Sequence, residues 1–154
     1  MRSNAATAYQ NQQIMTASPA MLVTLLYERA IRALSEAVRA AEQGDIQGRF
    51  NHTQRAGDII THLWSTLDET RGGEIATNLG ELYRFMLRRL GDLNVRNDLQ
   101  AARDVIGLLE PLAESWRQIA AQGGPAGAPP PPAAGPAARG ADARTPAPSA
   151  RRPP

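Results

Sequence analysis

Residues 18–44 read SPAMLVTLLYERAIRALSEAVRAAEQG, and this stretch decides the fold. Ser18 has a side-chain oxygen that can accept a bond from a first-turn amide, and Pro19 stands at the first helical position, where its missing N–H would be unpaired anyway. Beyond them Leu22, Leu25, Leu26, Ala30, Ala33, Leu34, Ala37, Val38 and Ala41 recur at three- and four-residue steps, the period of a helix with one buried face. Gly44 is a natural residue just past the end of such a helix. The same reading extends along the chain. Asp45 can cap a second helix carrying Ile46, Phe50, Ile59, Ile60, Leu63, Trp64 and Leu67, until Thr70-Arg71-Gly72-Gly73 breaks the pattern. A third helix, about Ile75 to Val95, turns Ile75, Leu79, Leu82, Tyr83, Met86, Leu87, Leu90 and Leu93 inward. Asn97 or Asp98 caps a fourth, which runs through Leu99, Val105, Ile106, Leu108, Leu109, Leu112, Trp116 and Ile119, with Pro111 expected to bend it mildly or pass at a local turn. Four helices of roughly 20 to 28 residues with short connections predict an all-α, antiparallel up-down four-helix bundle. With only 5% aromatic residues, leucine and alanine must fill its seams.

The flanks differ in composition. Residues 1–17 read as a polar arm or short helix folded onto the bundle, and 18–122 as the four-helix bundle. Residues 123–154 hold 10 Pro, 5 Gly and 10 Ala in 32 positions with no large apolar side chain, so they are predicted to form a disordered Pro/Ala/Arg tail. Charge follows the same boundary. The pI of about 9.7 suggests nucleic acid at first. Ahead of Gly123, however, 13 Arg face 14 acids, and after it four Arg face Asp142 alone, so the basic excess belongs to the tail. Arg84 and Arg88 share a helical stripe with Glu81 and Asp92, which reads as a self-paired solvated face, and no nucleic-acid partner is expected. No apolar run approaches the ~20 residues of a membrane span, and no secretory signal opens the chain, so a cytoplasmic protein without membrane insertion is predicted.

Most chemistry is excluded by absence of the residues it needs. The chain has no cysteine and no lysine, which removes disulfides, thiolate ligands, thiol nucleophiles, Schiff bases and P-loops. The two histidines, His52 and His62, are preceded at the third position by Arg49 and Ile59 rather than by the Glu of a bundle metal site, so no metal or other cofactor is expected. One enzyme-like alternative is a histidine phosphotransfer bundle using His52, followed by Arg55 and Gly57. Gly57 lies one step beyond the position that would open space for a phosphoryl group, about 100° off that face. A non-enzymatic binding module remains, since the apolar arcs of the second and third helices are wider than one core face requires. They could leave a groove for an amphipathic partner helix.

Ala8-Tyr9-Gln10-Asn11, Thr16-Ala17-Ser18-Pro19 and Leu22 to Tyr27 resemble the opening of the flagellin-specific secretion chaperones, the FliS family. Gly72-Gly73-Glu74-Ile75-Ala76-Thr77-Asn78-Leu79, Glu81-Leu82-Tyr83, Arg88-Arg89-Leu90, Asn94, Asn97-Asp98, Leu108-Leu109 and Trp116-Arg117-Gln118-Ile119 follow in the family's order. The resemblance spans about residues 6 to 120. It implies an export chaperone that binds the C-terminal segment of flagellin, prevents premature polymerisation and hands it to the flagellar export apparatus. It also implies that the N-terminal segment covers part of the binding surface, which puts Tyr9 and Ile14 in the role of a self-cap. Leu26, Tyr27, Leu63, Leu67, Leu82, Tyr83 and Met86 are the groove candidates. Arg88, Arg89, Asn94, Asn97 and Asp98 are expected to build the turn between helices three and four, the arginines pairing with Glu81 and Asp92. A helical adaptor for another client is the remaining alternative. The tail departs from the family pattern and is expected to be dispensable for client binding.

Overall fold

The computed structural model describes residues 18–123. The arm with Tyr9 and Ile14, and the tail from residue 124, lie outside the described residues. Four helices follow one another: α1 (Pro19–Glu42), α2 (Ile46–Ser65), α3 (Glu69–Arg96) and α4 (Leu99–Ala121).

Each start is fixed by a side chain that accepts from otherwise unpaired first-turn amides. Ser18 Oγ accepts from Met21 N at 3.2 Å, Asp45 Oδ1 from Gly48 N at 2.8 Å, Asp68 Oδ1 from Thr70 N and Arg71 N at 3.1 Å, and Asp98 Oδ1 from Gln100 N at 3.1 Å. Two sequence readings are sharpened here. The break at residues 70–73 is not an end: α3 begins earlier, at Glu69, and is interrupted only at Gly73 (φ 53°, ψ −131°). Asn97 and Asp98 divide the work, Asn97 closing α3 in the left-handed conformation (φ 55°) and Asp98 capping α4. Helix α4 runs on through Pro111.

Short connections at 43–45, 66–68 and 97–98 force neighbouring helices antiparallel, and each helix packs on its two neighbours in a ring, α1 on α2 and α4, α3 on the same two. The spacing around the ring is unequal. Helix α1 lies close along both neighbours, whereas α3 stands farther off. Side-chain size explains this. The buried face of α1 is mostly small, with Ala20, Thr24, Ala30, Ala33, Ala37 and Ala40, and α4 meets it with Ala101, Ala102 and Ala113. The buried face of α3 carries Leu79, Tyr83, Met86, Leu90 and Leu93, which hold its axis away.

The core therefore departs from the sequence-derived stripes. On α1 the fully buried positions are Tyr27, Leu34 and the small residues, while Leu22, Leu25, Leu26, Val38 and Ala41 are only half-buried. On α2, Ile46 and Phe50 are exposed at 68% and 46%, because the inward stripe runs Arg49, Thr53, Ala56, Ile60, Leu63. Arg49 closes that end of the bundle by donating from Nη1 to Asn97 Oδ1 at 2.5 Å and from Nη2 to the Asn94 carbonyl at 3.2 Å. None of the described helices is long and apolar enough to cross a membrane.

Candidate client-binding surface

The seven groove candidates fall into two groups. Tyr27, Leu63, Tyr83 and Met86 are buried in the core at no more than 4% exposure, while Leu26, Leu67 and Leu82 are half-buried at the surface. The three surface leucines do not share one groove. Leu26 lies between α1 and α2, opposite Ile59. Leu67 lies between α2 and α3, where a Cβ on Gly80 would come within 3.6 Å of Leu67 Cδ1 and 3.5 Å of Trp64 Nε1. Leu82 stands seven residues before Arg89, on the same face of α3, and Arg89 reaches across to Asp104 of α4. Leu82 thus belongs to the seam between α3 and α4. Half-buried Leu108, one turn beyond Asp104, points into that same seam.

The two seams beside α3 owe their width to its stand-off. In the α2/α3 seam, half-buried Trp64 and Leu67 rest over Gly80, and the Arg84 guanidinium lies 5.5 Å from the Trp64 ring centroid. This cation–π contact replaces the expected pairing of Arg84 with Glu81. Arg88 likewise makes no ion pair with Glu81 or Asp92 among the described residues. Arg89 instead gathers the acids of the turn: Nη1 donates to Asp92 at 3.1 Å and Asp98 at 3.2 Å, and Nη2 to Asp104 at 2.7 Å. The Gln100 amide and then Arg89 hold the Asp104 carboxyl below its ordinary value, and Asp104 in turn raises Arg89. Arg89 thus ties α3 to the start of α4.

Beneath the seams the core holds one polar bridge. The hydroxyls of Tyr27 on α1 and Tyr83 on α3 are hydrogen-bonded to each other across the diagonal of the bundle. Burial pushes the Tyr27 hydroxyl up to about 12, with the Tyr83 bond and the nearby Trp116 indole opposing. Tyr83 is pushed up too, by burial first and then by Tyr27. The Trp116 N–H closes no well-formed bond of its own.

His52 lies half-buried in the α1/α2 groove with Arg29, Arg32, Arg55 and Glu36 around it. No cluster of three or more His, Asp or Glu side chains stands in a metal-holding arrangement among the described residues. Sequence reasoning missed the Trp64–Gly80 notch; a buried glycine opposite an aromatic on the next helix was its available signal. What this surface can do chemically is bury apolar side chains of another helix.

The architecture is that of an all-α four-helix bundle protein. Residues 1–123 match the family described as "Flagellar protein FliS". The chain is 47% identical over 107 residues to the flagellar secretion chaperone FliS of Salmonella typhimurium, covering 69% of this chain and 79% of that one. It is 37% identical over 109 residues to the flagellar secretion chaperone FliS of Vibrio cholerae (71% and 80%), and 31% over 115 residues to that of Bacillus subtilis (75% and 85%). The chain belongs to the FliS family of flagellar secretion chaperones, which are not enzymes.

Proposed function

We propose that this chain binds the C-terminal segment of flagellin in the cytoplasm, keeps it from polymerising and passes it to the flagellar export apparatus. The observation that supports this most is the stand-off of α3, which leaves Trp64 and Leu67 on one side and Leu82 and Leu108 on the other half-covered. An unassembled filament subunit presents amphipathic termini that associate unless their apolar faces are buried. Two seams flanking one helix suit a client that lies along both, with Tyr27, Leu63, Tyr83 and Met86 as the packed floor and Leu26 as an outlying contact. Tyr9 and Ile14 would cover the surface when it is empty, and residues 1–17, 18–122 and 123–154 would act as cover, binding domain and appendage. Release at the export gate requires finite affinity, a Kd of roughly 1 μM to 10 nM, or about 8 to 11 kcal/mol.

Calorimetric titration with the last ~40 residues of flagellin tests the reading, since burial of apolar surface gives a strongly negative ΔCp. Leu67→Asp and Leu82→Asp should each weaken binding about tenfold or more, roughly the loss of one buried apolar contact made worse by a desolvated charge. Unaltered affinity in both variants, with both folded, would rule out the α3 seams.

A further inference from the structure

The groove between α1 and α2 encloses about 450 Å3 and lies away from the α3 seams. Because the helices are antiparallel about the 43–45 turn, its lining is graded. Leu26 and Ile59 form an apolar end, Arg29, Arg32 and Arg55 follow, and His52 and Glu36 lie beyond. The three arginines are exposed, and among the described residues none has a carboxylate within 4.0 Å. The groove's one acid, Glu36, is taken by Arg39 at 3.3 Å. Arg89, Arg103 and Arg117 each meet acids on other turns or helices, and Arg84, Arg88 and Arg96 are likewise without a carboxylate among the described residues, but in this groove three such arginines line one cavity beside an apolar end. The flanking segments add little negative charge: residues 1–17 contain no acid, and residues 124–154 contain Asp142 against four arginines.

We propose that this groove docks an acidic amphipathic helix of a second protein partner. An apolar side chain would seat between Leu26 and Ile59, and carboxylates on the following turns would meet Arg29, Arg32 and Arg55, whose planar guanidinium groups match them bidentately. Leu26 to Glu36 covers about 15 Å of helix, so some three turns of the partner are read. The assignment shares Leu26 with the flagellin reading but rests on a different pair of helices and on the arginines, which that reading does not use.

The test uses the full chain and a fluorescein-labelled peptide of about 18 residues built of Glu, Leu and Ala on a helical period, beside the same peptide with Gln for every Glu. Anisotropy should show binding of the acidic peptide only, weakened about tenfold or more by R29E/R55E and by raising salt from about 0.05 to 0.5 M. Both positions are exposed, so an unchanged melting curve for R29E/R55E shows that the fold persists. Failure of the acidic peptide to bind, equal binding of the Gln peptide, or equal binding by R29E/R55E would overturn the proposal. So would displacement by excess flagellin C-terminal segment, which makes the groove part of the client's path. Full competition by millimolar inorganic phosphate would make it a small-anion site. A free-chain dimer that R29E/R55E dissociates in sedimentation would make it a self-contact.

Discussion

Tyr27 and Tyr83 show what spacing alone leaves open about a residue. Both stand among the groove candidates, on stripes that core residues share, and each is buried with its hydroxyl hydrogen-bonded to the other. Periodicity places a side chain on the inner arc of its helix; whether that arc meets a neighbour or solvent depends on interhelical distance, which no single residue encodes. The pair carries two predictions. Removing one hydroxyl strands its partner in the core, whereas removing both leaves an apolar contact of the same shape. Tyr27→Phe or Tyr83→Phe alone should therefore destabilise by about 1 to 3 kcal/mol, and the double variant by less than either single one. Equal or additive losses in denaturant titration would contradict this. The second concerns alkaline pH. Folding raises the Tyr27 pKa from 10.0 to about 12, so the unfolded chain releases this proton first and stability falls as pH rises across that window. Each such tyrosine removes about 1.4 kcal/mol per pH unit there. With no lysine or cysteine in the chain, little else titrates between these values, so the Tyr27→Phe/Tyr83→Phe variant should show a nearly flat profile where the parent falls.

At the scale of the element, the helix starts at Ser18, Asp45 and Asp98 were legible because capping residues are local chemistry, while the start at Asp68 was missed in favour of Ile75. Ser18, Asp45, Asp68 and Asp98 each bond the amides immediately following them, whatever the tertiary packing. Gly72-Gly73 was harder, since a glycine pair is compatible with either an end or a kink, and only the cap at Asp68 decides for the kink. Gly73 sits at φ 53° and ψ −131° with no atom within 4 Å of where a Cβ would be. Gly73→Ala should thus cost about 1 to 3 kcal/mol through backbone strain alone. Gly91 and Gly107 make the opposite case. Both lie inside helices, with open space at the Cβ position and no positive φ. Alanine at either should stabilise by about 0.8 to 1 kcal/mol, raising the melting temperature by a few degrees. Destabilisation at these two positions would show that the helix surface there is occupied by something other than solvent.

For the whole molecule, four amphipathic helices with short turns leave little choice of topology, which is why the bundle could be read from the pattern. The placement of the surface leucines could not: Leu26, Leu67 and Leu82 look alike in sequence and fall in three different seams. The charge balance, by contrast, was readable at this scale, since the basic excess resides beyond Gly123. Truncation after Gln122 should leave flagellin affinity within about twofold, well under 1 kcal/mol. A larger loss would make the tail part of the client site. The unequal ring also governs how the molecule comes apart. A helix held by close alanine packing on both sides cannot leave without opening two seams, while the one propped on large side chains gives up less contact when it departs. Amide hydrogens of α1 should therefore outlast those of α3 in native-state exchange, and the transient loosening of α3 is the cheapest way for this bundle to admit or discharge whatever lies beside it.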